Sequence, residues 1–139
     1  GRWTMGAWGS QTFENDTAID WLADFVEIGE LEMIQETLET ATEGGDEPVD
    51  VDVACEALAA CEVLAHLNGK AGGEHSTTPE LDAWIKGFRK KAPAALYKLA
   101  GKAIERVLEE ESELRLLWED AGDDAWITDV RNLQGRLKV

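Results

Sequence analysis

Asp16, Asp20 and Asp24 stand four residues apart in the stretch FENDTAIDWLADF, and on a helix that spacing lays three carboxylates along one face. Two of them can ligate a hard divalent cation if a facing helix adds further oxygens. The simpler reading is a solvated edge, because ionised aspartate is almost never buried unless it is paired. A second acidic group, Asp46, Asp50 and Asp52 in DEPVDVD, lacks the central glycine and the terminal bidentate glutamate of an EF-hand loop.

The softer ligands are no better arranged. Glu62 and His66 are four apart, but His66 and His75 are the only histidines, so the paired Glu-x-x-His set of a di-iron bundle cannot be assembled. Cys55, Cys61, His66 and His75 amount nominally to four zinc ligands, yet the cysteines point to different faces of one helix and the histidines are scattered. Six helical residues turn about 240° and rise about 9 Å, too far for a disulfide between the two cysteines, which therefore read as buried reduced thiols. Ser10, Ser76 and Ser112 fall in turn or cap contexts, and neither a nucleophile elbow nor a phosphate-binding glycine loop is present. No catalytic residue, resident metal or cofactor is expected, and a non-enzymatic protein is the favoured reading.

Charge is the informative property. The chain has 139 residues and a formal net charge of -16. Residues 1–80 hold 18 acids against Arg2 and Lys70, whereas residues 81–139 hold 11 acids and 11 bases. Such a field repels nucleic acid and anionic membrane, and it speeds encounter with a basic partner. The one positive cluster, Lys86, Arg89, Lys90, Lys91, Lys98 and Lys102, is expected to form salt bridges with the acidic part of the same domain.

These residues must be positioned by helices, because no alternating strand pattern appears. Asn15 caps a first helix with Ile19, Leu22, Ala23 and Val26 on one apolar set, Trp21, Phe25 and Ile28 on another, and Gly29 as its stop. A second helix spans 30–42 and buries Leu31, Ile34, Leu38 and Ala41, before EGGDEP breaks the pattern. The alanine-rich segment 49–68 is the central helix, ended by Asn68-Gly69. Thr78-Pro79 opens a short helix with Leu81, Trp84, Ile85 and Phe88 inward. Residues 94–111 form a long amphipathic helix, Ser112 caps a further turn carrying Leu114, Leu117 and Trp118, and Trp126, Val130, Leu133 and Leu137 mark a last helix. The expected fold is an all-α, single-domain bundle of six or seven helices, with neighbouring segments packing antiparallel.

GRWT, residues 1–4, reads as a remnant left by cloning, so the domain is expected to run over 5–139. With no apolar run of about 18 residues and no secretion-like start, a cytoplasmic location is expected.

Met5-Gly-Ala-Trp-Gly, Phe13-Glu-Asn-Asp and Ala18-Ile-Asp-Trp21 together resemble the opening of the bacterial family known as domain of unknown function 4259. The later stretch SELRLLWEDAGDDAWITDVRNLQGRL resembles that family's closing segment less specifically. The resemblance implies an intact domain and carries no activity. In physical terms, Gly6 and Gly9 permit turns that fold Trp8 and Phe13 back over the first helix as an aromatic lid.

The expected function is a protein-binding module, such as an immunity or antitoxin-like protein that engages a basic partner, for example a toxin, through Asp20, Asp24, Glu43, Asp46, Glu47 and Asp50. Two alternatives stand beside it. One is a divalent-metal enzyme or regulator built on Asp16, Asp20 and Asp24, and the other is a structural, homo-oligomerising domain.

Overall fold

A computed structural model describes residues 12, 13, 15–43, 47–70, 72, 77–88, 90–122 and 124–138. The expected lid residues Gly6, Trp8 and Gly9, and residues 1–4, lie outside these. Among the described residues the chain is an all-α, single-domain bundle: α1 (Asp16–Ile28), α2 (Leu31–Thr42), α3 (Val51–Leu67), α4 (Pro79–Gly87), α5 (Ala94–Leu108), α6 (Glu113–Asp120) and α7 (Ala125–Arg136).

The helix boundaries follow local chemistry. The Asn15 side chain accepts from the Ala18 amide at 2.8 Å, and Asp16 in the first turn suits the positive end of the dipole. Gly29 closes α1 with φ 70°, its amide donating to the Phe25 carbonyl at 2.6 Å. A Cβ at that position would also lie 3.2 Å from Trp84 Nε1 on α4. Gly29→Ala should therefore destabilise by about 1 kcal/mol or more, read by thermal or urea unfolding. Asp50 accepts from the Asp52 amide at 3.1 Å, and Thr78 from the Leu81 amide at 3.2 Å, with Pro79 in the first helical turn.

Packing is organised around α3, which touches all six other helices. From Ala54 to His66 every residue but Glu56 is buried, so the apolar surface continues around the whole helix. That demand for cover changes the expected topology. Sequence neighbours pack chiefly on α3 rather than on each other: α1 and α2, joined by two residues, make little mutual contact, whereas α2 packs closely on α5. Trp21 Nε1 still reaches across to Thr37 Oγ1 at 2.9 Å.

Several expected boundaries and buried faces are corrected. On α1 only Ala18, Trp21, Leu22 and Phe25 are buried; Ile19, Ala23 and Ile28 are exposed, because α3 and α4 cover a single stripe of the helix. On α4 only Leu81 is buried, with Trp84, Ile85 and Phe88 half covered. That helix stops at Gly87, leaving Lys90 and Lys91 in the connector beyond its last turn. On α5 the helix ends at Leu108, short of Glu111, since Glu109, Glu110 and Glu111 would place like charges at its negative end. Ser112 makes no cap bond: its hydroxyl is buried without a hydrogen-bond partner, and Leu117 is exposed rather than inward. The α7 face is as expected, with Trp126, Val130, Leu133 and Leu137 buried.

Candidate functional site

Two polar assemblies stand out against this scaffold, one on the surface and one inside. The surface assembly begins on α1, where Asp16, Asp20 and Asp24 are exposed, and continues through Glu43, Glu47 and Asp50, which are exposed between α2 and α3. Asp46 lies outside the described residues. α1 and the start of α3 are tied by Thr17 Oγ1, which donates to Asp52 Oδ1 at 3.2 Å. The Glu56 carboxyl is held above its ordinary range, first by partial burial and then by Asp52, Asp50 and Asp24. The acids of the first helix and those of the third thus share one field. Sequence alone presented them as separate groups.

That shift has a testable sign. A carboxyl raised in the folded state favours folding below its unfolded value and loses that contribution as pH rises through the folded value. Asp52 and Glu56 also form an i,i+4 like-charge pair, worth about 0.2–0.5 kcal/mol of repulsion. Glu56→Gln should stabilise the protein by about that amount at neutral pH. The gain, measured by thermal unfolding, should close as pH falls through the range in which Glu56 protonates.

Arg106 of α5 holds the described backbone on either side of residues 44–46. Its Nε donates to the Ala41 carbonyl at 3.3 Å and its Nη2 to the Glu47 carbonyl at 3.0 Å, while Nη1 lies 3.6 Å from Glu109 Oε2. The cation meets the exposed carbonyls at the α2 C-terminus, where the dipole favours it. Beside it is a surface cavity of about 160 Å³ bordered by Thr40, Glu43, Glu47, Asp50, Val53 and Arg106. The backbone at Ala41 and at Glu47 is therefore held beside these acids.

The inner assembly is centred on Glu62 of α3, which has no exposed surface. Its Oε1 accepts from Thr12 Oγ1 at 2.9 Å and from Arg136 Nη2 at 3.1 Å, and its Oε2 accepts from Arg136 Nη1. His66 Nδ1 lies 2.8 Å from the Glu62 carbonyl oxygen and 3.5 Å from Oε2. A carbonyl only accepts, so Nδ1 carries the hydrogen; Nε2 is buried with no hydrogen-bond partner. Asn132 Oδ1 accepts from Arg136 Nε at 2.8 Å, and Asn68 Nδ2 donates to the carbonyls of Arg136 and Lys138. The assembly ties the segment before α1 and the end of α7 to the same turn of α3. Sequence reasoning weighed Glu62 only as a di-iron ligand. Its one signal was an acid set among apolar neighbours in ALAACEVLAH.

Among the described residues, no three His, Cys, Asp or Glu side chains converge as they would around a metal ion. Asp16, Asp20 and Asp24 instead form a row about 12 Å long. His75 lies outside the described residues. Cys55 and Cys61 are both buried and unbridged. Burial, with Asp52, Glu56 and Asp50 adding to it, pushes the Cys55 thiol up to about 12, and burial with Glu62 raises Cys61 as well. Both stay protonated at neutral pH, so neither offers a thiolate.

The expected internal neutralisation is not found among the described residues. Lys86, Lys90, Lys91, Lys98 and Lys102 are exposed and form no ion pair among the described residues, and Arg89 lies outside them. Glu62 pairs with Arg136, with His66 beside it, Arg106 with Glu109, and Arg115 with Glu119. None involves an exposed carboxylate of α1, α2 or the start of α3. Among the described residues no helix is long and apolar enough to cross a membrane.

Comparison with curated proteins and with solved structures gives no match. A family model described as Domain of unknown function (DUF4259) matches residues 6–129, nearly the whole bundle, and the chain belongs to that family.

Proposed function

We propose that this protein is a non-enzymatic binding module, working in the cytoplasm, whose acidic face engages a basic protein partner. An immunity or antitoxin-like protein that covers a cationic toxin is the most concrete form. The observation that carries the reading is the surface itself: among the described residues, the exposed carboxylates from Asp16 to Asp52 form no ion pair, and neither do Lys86, Lys90, Lys91, Lys98 and Lys102. Like charges at i,i+4, such as Asp16 with Asp20, Asp20 with Asp24, Glu32 with Glu36 and Glu39 with Glu43, each cost about 0.2–0.5 kcal/mol. A cationic partner relieves that repulsion and is steered to the face by the same field. The Arg106 contacts support the reading further, because backbone already held at Ala41 and at Glu47 loses less entropy on binding.

The test is recovery of the partner from the native host with the wild-type chain and with a chain reversed to lysine at Glu43, Asp46, Glu47 and Asp50. A basic protein bound by the first and at least about tenfold more weakly by the second is the expected result. A partner of neutral or acidic charge, or one held equally by both chains, would sink the assignment.

A further inference from the structure

The acidic face extends beyond the part of the chain that carries the net charge, and it has an apolar centre. Residues 109–124 hold eight acids and one base, Arg115, which the balanced charge of the second half conceals. Arg115 is already occupied, donating from Nε to Glu119 Oε1 at 2.8 Å and from Nη1 to the Leu108 carbonyl. The first turn of α6 is bound to the entrance of α3: the Glu113 amide donates to the Val49 carbonyl at 3.1 Å, and Glu113 Oε1 accepts from the Val51 amide at 3.4 Å. This places α6 beside Asp50 and Glu47, so the two acidic regions adjoin. One turn further along, at i+3 and i+4 from Glu113, Leu116 and Leu117 are 49% and 36% exposed while Leu114 and Trp118 face the core. Glu110, Glu111, Glu113, Glu119 and Asp120 are exposed around them.

We infer that Leu116 and Leu117 are the apolar anchor of the partner-binding face, and that its occupant is a basic amphipathic segment of a protein partner. Interfaces draw most of their binding energy from a few central apolar or aromatic contacts, while a charged rim sets encounter and orientation. Here the rim is anionic and the centre is a pair of leucines, so the complementary segment carries lysines or arginines around apolar side chains. The inference rests on the acidic-face reading and specifies the chemistry of what binds there. A second copy of this chain is disfavoured as occupant, since two molecules of charge -16 repel.

Two peptides test it, each of about 18 residues, five helical turns: one of leucine and lysine at amphipathic spacing, the other with serine in place of each leucine. Each is titrated calorimetrically into the wild-type chain and into Leu116→Ser/Leu117→Ser, whose folding is checked by circular dichroism. The wild type should bind the leucine peptide about tenfold tighter than the serine peptide, and the double substitution should erase that difference while leaving the weak serine-peptide binding in place. Equal binding of the leucine peptide by both chains overturns the anchor and leaves the acidic-face reading standing. Failure of the wild type to bind either peptide, even at roughly 0.05 M salt, overturns both. Wild-type dimers that vanish on the leucine substitutions assign the pair to self-association and overturn the inference.

Discussion

Arg136→Met should lower the unfolding free energy by about 3–5 kcal/mol, because it strands the Glu62 carboxylate in the interior without its counter-ion. Glu62 has no exposed surface, and the guanidinium supplies two of its hydrogen bonds, leaving Thr12 and the edge of His66 as the remaining contacts. For a domain of this size the melting temperature should fall by roughly ten degrees or more. The double variant Glu62→Leu/Arg136→Met removes both charges and should recover much of the loss, since a buried pair is costly mainly when halved. A single variant within about 1 kcal/mol of wild type would show that the pair is solvated and contributes little. Beyond stability, the pair should hold α7 in place, so hydrogen exchange in α7 should quicken in the single variant before that in α3 does.

Phe25→Ala is the other large effect, at about 3–5 kcal/mol. Phe25 is wholly buried; its ring lies parallel to Trp21 at 5.2 Å and meets Trp84 edge-on at 4.7 Å, while Trp84 stacks on Phe88 at 4.5 Å. Removing the ring empties the contact between α1 and α4, and α4 has few other supports. Both tryptophans bordering the gap should change their fluorescence on substitution, and Phe25→Leu should retain most of the stability. Urea unfolding checks the magnitude; a loss below about 1 kcal/mol would mean that the site collapses without a cavity.

Much of the fold was legible in the sequence because it is decided locally. Asn15, Gly29 and Thr78 are helix-end residues whose chemistry acts over three or four positions, and each sits at the boundary its type implies. The alanine-rich run that forms α3 is likewise apolar whatever surrounds it. Exposure was harder to read. Ile19 and Ile28 carry the periodicity of a buried face, but how much of α1 is covered depends on how many helices pack against it. Ser112 has the residue type of a cap, yet the turn that ties Glu113 to Val49 leaves its hydroxyl without a partner.

Long-range pairing was illegible for a different reason. Glu62 and Arg136 are 74 residues apart, and nothing local in either stretch names the other. The acidic residues were all visible, but their assembly was not: Asp24, Asp52 and Glu56 share a field only because α1 packs on α3, and the packing of α6 on α3, with the Glu113 bonds to Val49 and Val51, brings α6 beside Asp50. The lysines illustrate the converse. Counting charges implies internal neutralisation, whereas Lys86, Lys90, Lys91, Lys98 and Lys102 are exposed and form no ion pair among the described residues.

The most direct measurement is the association rate of the basic partner as a function of ionic strength, for the wild type and for the chain reversed at Glu43, Asp46, Glu47 and Asp50. Electrostatic steering predicts a wild-type rate that falls steeply between roughly 0.05 and 0.3 M salt, and a reversed chain that associates about tenfold more slowly with a flattened dependence. Equal rates and equal salt slopes for the two chains would contradict the account, leaving the acidic face as a solvated surface.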